Sequence, residues 1–104
     1  NANGTEVYYA DSNNGNAYGT TSEKLATNIL NRMLYYMGST NRGVKTAEHA
    51  VTKRCKMPAA LTEVGFITNP TEVYNMTTDE YQYKAAQGIA EGIMITLKDI
   101  NVPQ

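Results

Sequence analysis

The chain has 104 residues, enough for one hydrophobic core and too few for two ordinary domains, so residues 1–104 are read as a single domain or as part of one. Nine basic and ten acidic residues leave a formal net charge of -1, which supplies no bulk field for a polyanion and argues against a nucleic-acid partner. No apolar run approaches the ~18 residues of a membrane span, and the opening "NANGTEVYY" has neither the basic start nor the apolar centre of a secretion signal.

In chain order, Glu6–Ala10 ("EVYYA") carries the β-branched and aromatic residues of a strand, and "DSNNGNAYGTT" then breaks it with Asn and Gly. Thr20 and Glu23 have capping-box spacing. Leu25, Ile29 and Met33 repeat at helical spacing beside Ala26, Leu30, Leu34 and Met37, which predicts an amphipathic helix ending at Gly38, its apolar stripe facing a sheet. Val44–Val51 alternates weakly and fits a short strand or an irregular segment leading to the basic loop Lys53–Lys56. After Pro58, the run "AALTEVGF" reads as a strand covered on both faces.

Asn69, Pro70 and Glu72 occupy the cap, first-turn and reciprocal capping-box positions of a short helix over "NPTEVYNM". Thr77 and Glu80 are expected to cap a last helix with the stripe Tyr81, Ala85, Ile89, Ile93 and Leu97. Gly88 and Gly92, adjoining that stripe, each weaken a helix by ~1 kcal/mol relative to Ala, which suggests close packing on the sheet or on another helix. The order of strands and helices indicates an α/β domain.

Cys55 is the only cysteine and His49 the only histidine, so neither a disulfide nor a site of several thiolates or imidazoles can form within the chain. Both read as incidental, although Lys53, Arg54 and Lys56 beside Cys55 could activate a thiol. Glu63 is different, because a carboxylate inside an apolar strand needs a partner or a purpose. The ordinary reading pairs it with Lys45, Lys53 or Arg54, or leaves it at an exposed strand end. The functional one notes that open α/β sheets bind ligands outside the carboxyl ends of their strands, where Glu63 could serve as a general base.

"NRGVK" (Asn41–Lys45), "MPAALTEVGFITNPTE" (Met57–Glu72) and "YQYKAAQGIAEGI" (Tyr81–Ile93), preceded by "SEKLATNIL", resemble the zinc-dependent N-acetylmuramoyl-L-alanine amidases of the bacterial cell-wall hydrolase group known as amidase type 3. The resemblance runs over essentially the whole chain, and its most specific piece holds Glu63, Gly65, Phe66 and Asn69. It implies a mixed or mostly parallel twisted sheet flanked by helices, and a zinc-assisted hydrolase that cuts between N-acetylmuramic acid and the L-alanine of the peptidoglycan stem peptide. Glu63 matches the family's general base. Arg42 and Asn69 are candidate substrate contacts, and Tyr8, Tyr9 and Tyr18 could line a sugar groove.

The family's zinc ligands, two histidines and a glutamate, lie toward its N-terminal side. The last would stand two positions before Asn1, so no metal ligand is assigned within the chain, and Glu6, Glu23 and Glu48 are taken as surface residues. On this expectation the chain is the C-terminal part of one amidase domain, lacks the fold's first strands, and is inactive alone. Its uncovered sheet edge then invites a homo-oligomer or complementation by the missing segment. The expected place of action is the bacterial wall, reached by secretion or as a phage lysin. The alternative is a non-catalytic fragment that binds peptidoglycan or another protein.

Overall fold

Residues 2–100 are described by a computed structural model, in which three strands form the sheet. β1 (Thr5–Tyr9) lies in the centre, β2 (Asn41–Thr46) on one side and β3 (Leu61–Glu63) on the other. β2 is parallel to β1 and β3 antiparallel to it, so the sheet is mixed. A parallel pair needs a long crossover, and α1 (Gly19–Met37) provides it.

Alternation along β1 separates two faces. Thr5, Val7 and Tyr9 are buried, and Val7 and Tyr9 share the core with Ala26, Ile29, Leu30 and Met33 of α1. Each fully buried Val, Leu, Ile or Met contributes ~1.5–3 kcal/mol, so this contact fixes the helix on the sheet. Glu6 and Tyr8 project to the opposite face. β3 is shorter and less covered than expected: only Leu61–Glu63 pairs, and none of the three is fully buried. The uncertain segment after Val44 resolves into the rest of β2 and a one-turn helix α2 (Ala50–Lys53).

The expected capping box of α1 does not form. The helix starts at Gly19, Tyr18 at the cap position makes no side-chain bond, and Glu23 instead accepts from the Tyr9 hydroxyl at 3.0 Å. A buried phenol needs an acceptor. Burial, and then the bond to Glu23, push the ionisation of Tyr9 up to about 12. The C-terminus follows the sequence: Gly38 adopts the left-handed conformation at φ 65° and its N–H reaches the Leu34 carbonyl at 2.9 Å.

α3 (Pro70–Met76) is followed by α4 (Asp79–Asp99). The cap of α4 is Thr78, not Thr77, whose hydroxyl bonds back to the Tyr74 carbonyl of α3. The buried stripe of α4 is Ala85, Gly88, Gly92 and Thr96, while Ile93 is exposed. The stripe is rotated from the expected one because the glycines face α1. A Cβ added at Gly88 would lie 2.5 Å from Met33 Cα, and one at Gly92 equally close to Ile29 Cα. The two backbones therefore nearly touch, and Asn28 Nδ2 donates to Thr96 Oγ1 at 3.0 Å beside them.

Replacing Gly92 by Ala sets a helix gain of ~1 kcal/mol against an overpacking cost of about 1–3 kcal/mol. With backbone as the obstacle, Gly92→Ala should lower the urea midpoint at unchanged slope. A raised midpoint would mean that the helices stand further apart.

Candidate active site

Glu63 ends β3, is exposed, and lies directly across the antiparallel ladder from Glu6. Opposed residues share a face, so both carboxylates lie on the sheet face away from α1. Of the two arrangements left open for Glu63, the structure has the exposed strand end: among the described residues it makes no ion pair. Lys45, one of its expected partners, goes to Glu6.

The turn after Glu63 is tied to β1 at two points. Thr5 Oγ1 donates to the Val64 carbonyl at 3.1 Å. Glu72 then bridges the two segments, its Oε2 accepting from Gly4 N at 2.6 Å and its Oε1 from Phe66 N at 2.8 Å. This overturns the capping-box role expected for Glu72. Its carboxylate is buried and turns toward two backbone donors that have no ladder partner, one of them 68 residues away in sequence. Gly65 lets α3 come this near, since a Cβ there would meet Glu72 Oε1 at 3.2 Å.

Asn69 caps α3, its Oδ1 accepting from Thr71 N at 3.1 Å and Glu72 N at 3.2 Å. Asn69 also lines a polar cavity of about 350 Å³ with Asn3, Ser39, Thr71, Glu72 and Tyr81. Asn69 and Glu63 are thus held by one turn but serve different surroundings.

Glu6, expected at the surface, is only 5% exposed. It accepts from Tyr8 Oη at 2.7 Å, Lys45 Nζ at 2.5 Å and Arg42 Nε at 3.3 Å. In a regular strand, residues 42 and 45 would point to opposite faces. The ladder slips between Thr5, opposite Asn41, and Val7, opposite Val44, which places one extra residue in β2. Gly43, at φ +90°, occupies this bulge, and its N–H is bonded to Asn41 Oδ1 at 2.8 Å. The bulge therefore aims both cations at one carboxylate. Arg42 also lies over the Phe66 ring, 4.7 Å from its centroid.

Burial alone would push the Glu6 carboxyl up, but the bonds from Lys45, Tyr8 and Arg42 together outweigh it and hold the group below its ordinary 4.5. Tyr8 moves the other way, raised first by its bond to Glu6, then by burial and by the charges of Glu6 and Glu63. The other tyrosines of the supposed sugar groove are elsewhere: Tyr9 is in the core and Tyr18 precedes α1. His49 sits before α2 with its ring edge-on to Tyr8 at 5.4 Å. Cys55 is half-buried, and its carbonyl accepts from Asn13 Nδ2 at 2.7 Å.

A catalytic zinc site takes three protein ligands. Among the described residues no three His, Cys, Asp or Glu side chains gather closely enough to hold a metal ion, and Glu6, nearest to Glu63 across the ladder, is already filled by three donors. These residues do not fit zinc on their own.

Residues 1–94 match the protein-family model described as N-acetylmuramoyl-L-alanine amidase. The chain belongs to this amidase type 3 family. Two relatives are from Bacillus subtilis strain 168. The uncharacterised protein YqiI is 36% identical over 92 residues, which is 88% of this chain and 43% of YqiI. The N-acetylmuramoyl-L-alanine amidase LytC is 38% identical over 90 residues, 86% of this chain and 17% of LytC. The crystal structure of the N-acetylmuramoyl-L-alanine amidase from Clostridium difficile 630 superposes with a TM-score of 0.84 at 30% identity, over 94% of this chain and 50% of that one. The chain thus spans half or less of the length of each. In this amidase segment, then, an exposed carboxylate stands beside a buried one that gathers two cations.

A carboxyl held below its ordinary value stabilises the fold above pH 4.5, and that contribution disappears as the pH falls through its folded value. The stability difference between the wild-type chain and Glu6→Gln, measured by urea unfolding, should be largest near neutrality and shrink on acidification. A difference independent of pH would mean that Glu6 is not ionised in the fold.

Proposed function

We propose that this chain is the part of a peptidoglycan amidase that supplies the general base for cleaving the amide between N-acetylmuramic acid and the L-alanine of the stem peptide. The observation that carries the reading is Glu63 itself, exposed at the exit of β3 and without an ion-pair partner among the described residues of a member of this family. Amide hydrolysis moves a proton twice. The attacking water must lose one as its oxygen bonds to the carbonyl carbon, and the departing alanine nitrogen must gain one as the C–N bond breaks. A carboxylate within hydrogen-bond reach can do both. Left unpaired, Glu63 keeps its lone pairs available for that water.

Arg42 and Asn69 are the proposed substrate contacts. Arg42, carried on the β2 bulge beside Phe66, suits an anionic group of the stem peptide. Asn69 has its oxygen committed to the cap and would act through its amide nitrogen. Zinc, where the family uses it, lowers the pKa of a bound water to ~7, and its ligands would come from residues other than those described. The place of action is the bacterial wall, reached by secretion or by release as a phage lysin.

The test uses this segment within a complete amidase domain, incubated with purified peptidoglycan. Glu63→Gln should cut the release of stem peptides by ~10²–10⁴-fold while binding to the wall persists. Undiminished release would remove Glu63 from the reaction.

A further inference from the structure

We propose that Glu6 is a positioning residue for the base: by holding Arg42 and Lys45 on itself, it keeps both cations off Glu63 and leaves that carboxylate free to accept a proton. This inference rests on the reading of Glu63 as the general base.

Two carboxylates face each other across the β1–β3 ladder, and two cations from β2 reach the same face. The cations could serve either acid. Burial decides between them, because an ionised group as enclosed as Glu6 is costly without partners, whereas water can solvate the exposed Glu63. Three features of the chain enforce the choice. The Gly43 bulge turns Arg42 and Lys45 to one side, Tyr8 Oη adds a third donor to Glu6, and the Phe66 ring backs the Arg42 guanidinium. Among the described residues, the ladders, ion pairs and ring contacts bring to this face Glu6 and Tyr8 from β1, Arg42 and Lys45 from β2, Glu63 from β3 and His49 beside Tyr8. The charge of Glu63 is felt at Tyr8, so the two carboxylates belong to one electrostatic neighbourhood.

Take away the Glu6 charge, and Glu63, opposite it on the ladder, is the carboxylate to which the stranded cations turn. An opposite charge close by favours the ionised form and makes the group a weaker base.

The test follows the Glu63 side-chain carboxyl carbon by NMR across a pH titration of the 104-residue chain. In Glu6→Gln the midpoint should move to lower pH by about one unit, and adding Lys45→Met to that variant should reverse most of the shift. An unmoved midpoint in a folded Glu6→Gln chain overturns the proposal. The unmodified chain provides a second reading should Glu6→Gln fail to fold: the Lys45 side-chain signals should follow the titration of the Glu6 carboxyl carbon, and signals that follow Glu63 instead overturn the proposal. The measurement reads charge placement without turnover, so a failure here is separable from a failure of the Glu63→Gln wall assay.

Discussion

One carboxylate joins the two halves of the site. Glu72, on the first turn of α3, accepts from the backbone N–H of Gly4 just before β1 and from that of Phe66 just after β3. Charge-assisted bonds of this kind are roughly twice as strong as neutral ones, and here they replace sheet hydrogen bonds that the chain cannot make. Between the two anchored amides lie Thr5 with its bond to Val64, Glu6 with its cations, and Glu63 at the strand exit. If the turn were loose, Glu63 would have no fixed position beside the sheet. A three-residue strand makes few ladder bonds of its own, so the Glu72 bonds carry much of the fixing.

The face that carries Glu6 and Glu63 depends in turn on the face packed against α1. Val7 and Tyr9 are locked into the core with α1, and α1 is locked to α4 through backbone contact at Gly88 and Gly92. With β1 pinned from that side, its alternate residues Glu6 and Tyr8 have fixed positions on the other. On that side the buried Glu6 gathers Arg42 and Lys45, while the exposed Glu63 has no ion-pair partner among the described residues.

Much of this was legible in the residues, and most of the misses share a physical cause. The strand at Glu6, the long helix ending at Gly38, the Asn69 cap and the glycine pair of α4 follow from local spacing, and all are present. Apart from the cap of α4, where Thr77 turns back to Tyr74 three residues earlier, the corrections come from partners remote in sequence. Glu72 has capping-box spacing but turns to Gly4, and Glu23 has the same spacing but turns to Tyr9. Thr96 and the glycines of α4 are buried only because α1 happens to lie there. Glu6, taken as a surface residue, is buried because the Gly43 bulge brings two long side chains over it. The signal was faintly present in "NRGVK", where a glycine stands between two cations at a spacing that a regular strand would split across its faces.

The most direct measurement is native-state hydrogen exchange of the Gly4 and Phe66 amides. If the Glu72 carboxylate clasps both, the two protons exchange slowly, opening together with Val7 at the centre of the sheet, and both become fast in Glu72→Ala. Free exchange at Phe66 in the unmodified chain, with Val7 still protected, would show that the turn carrying Glu63 is not held in this way and would contradict the account.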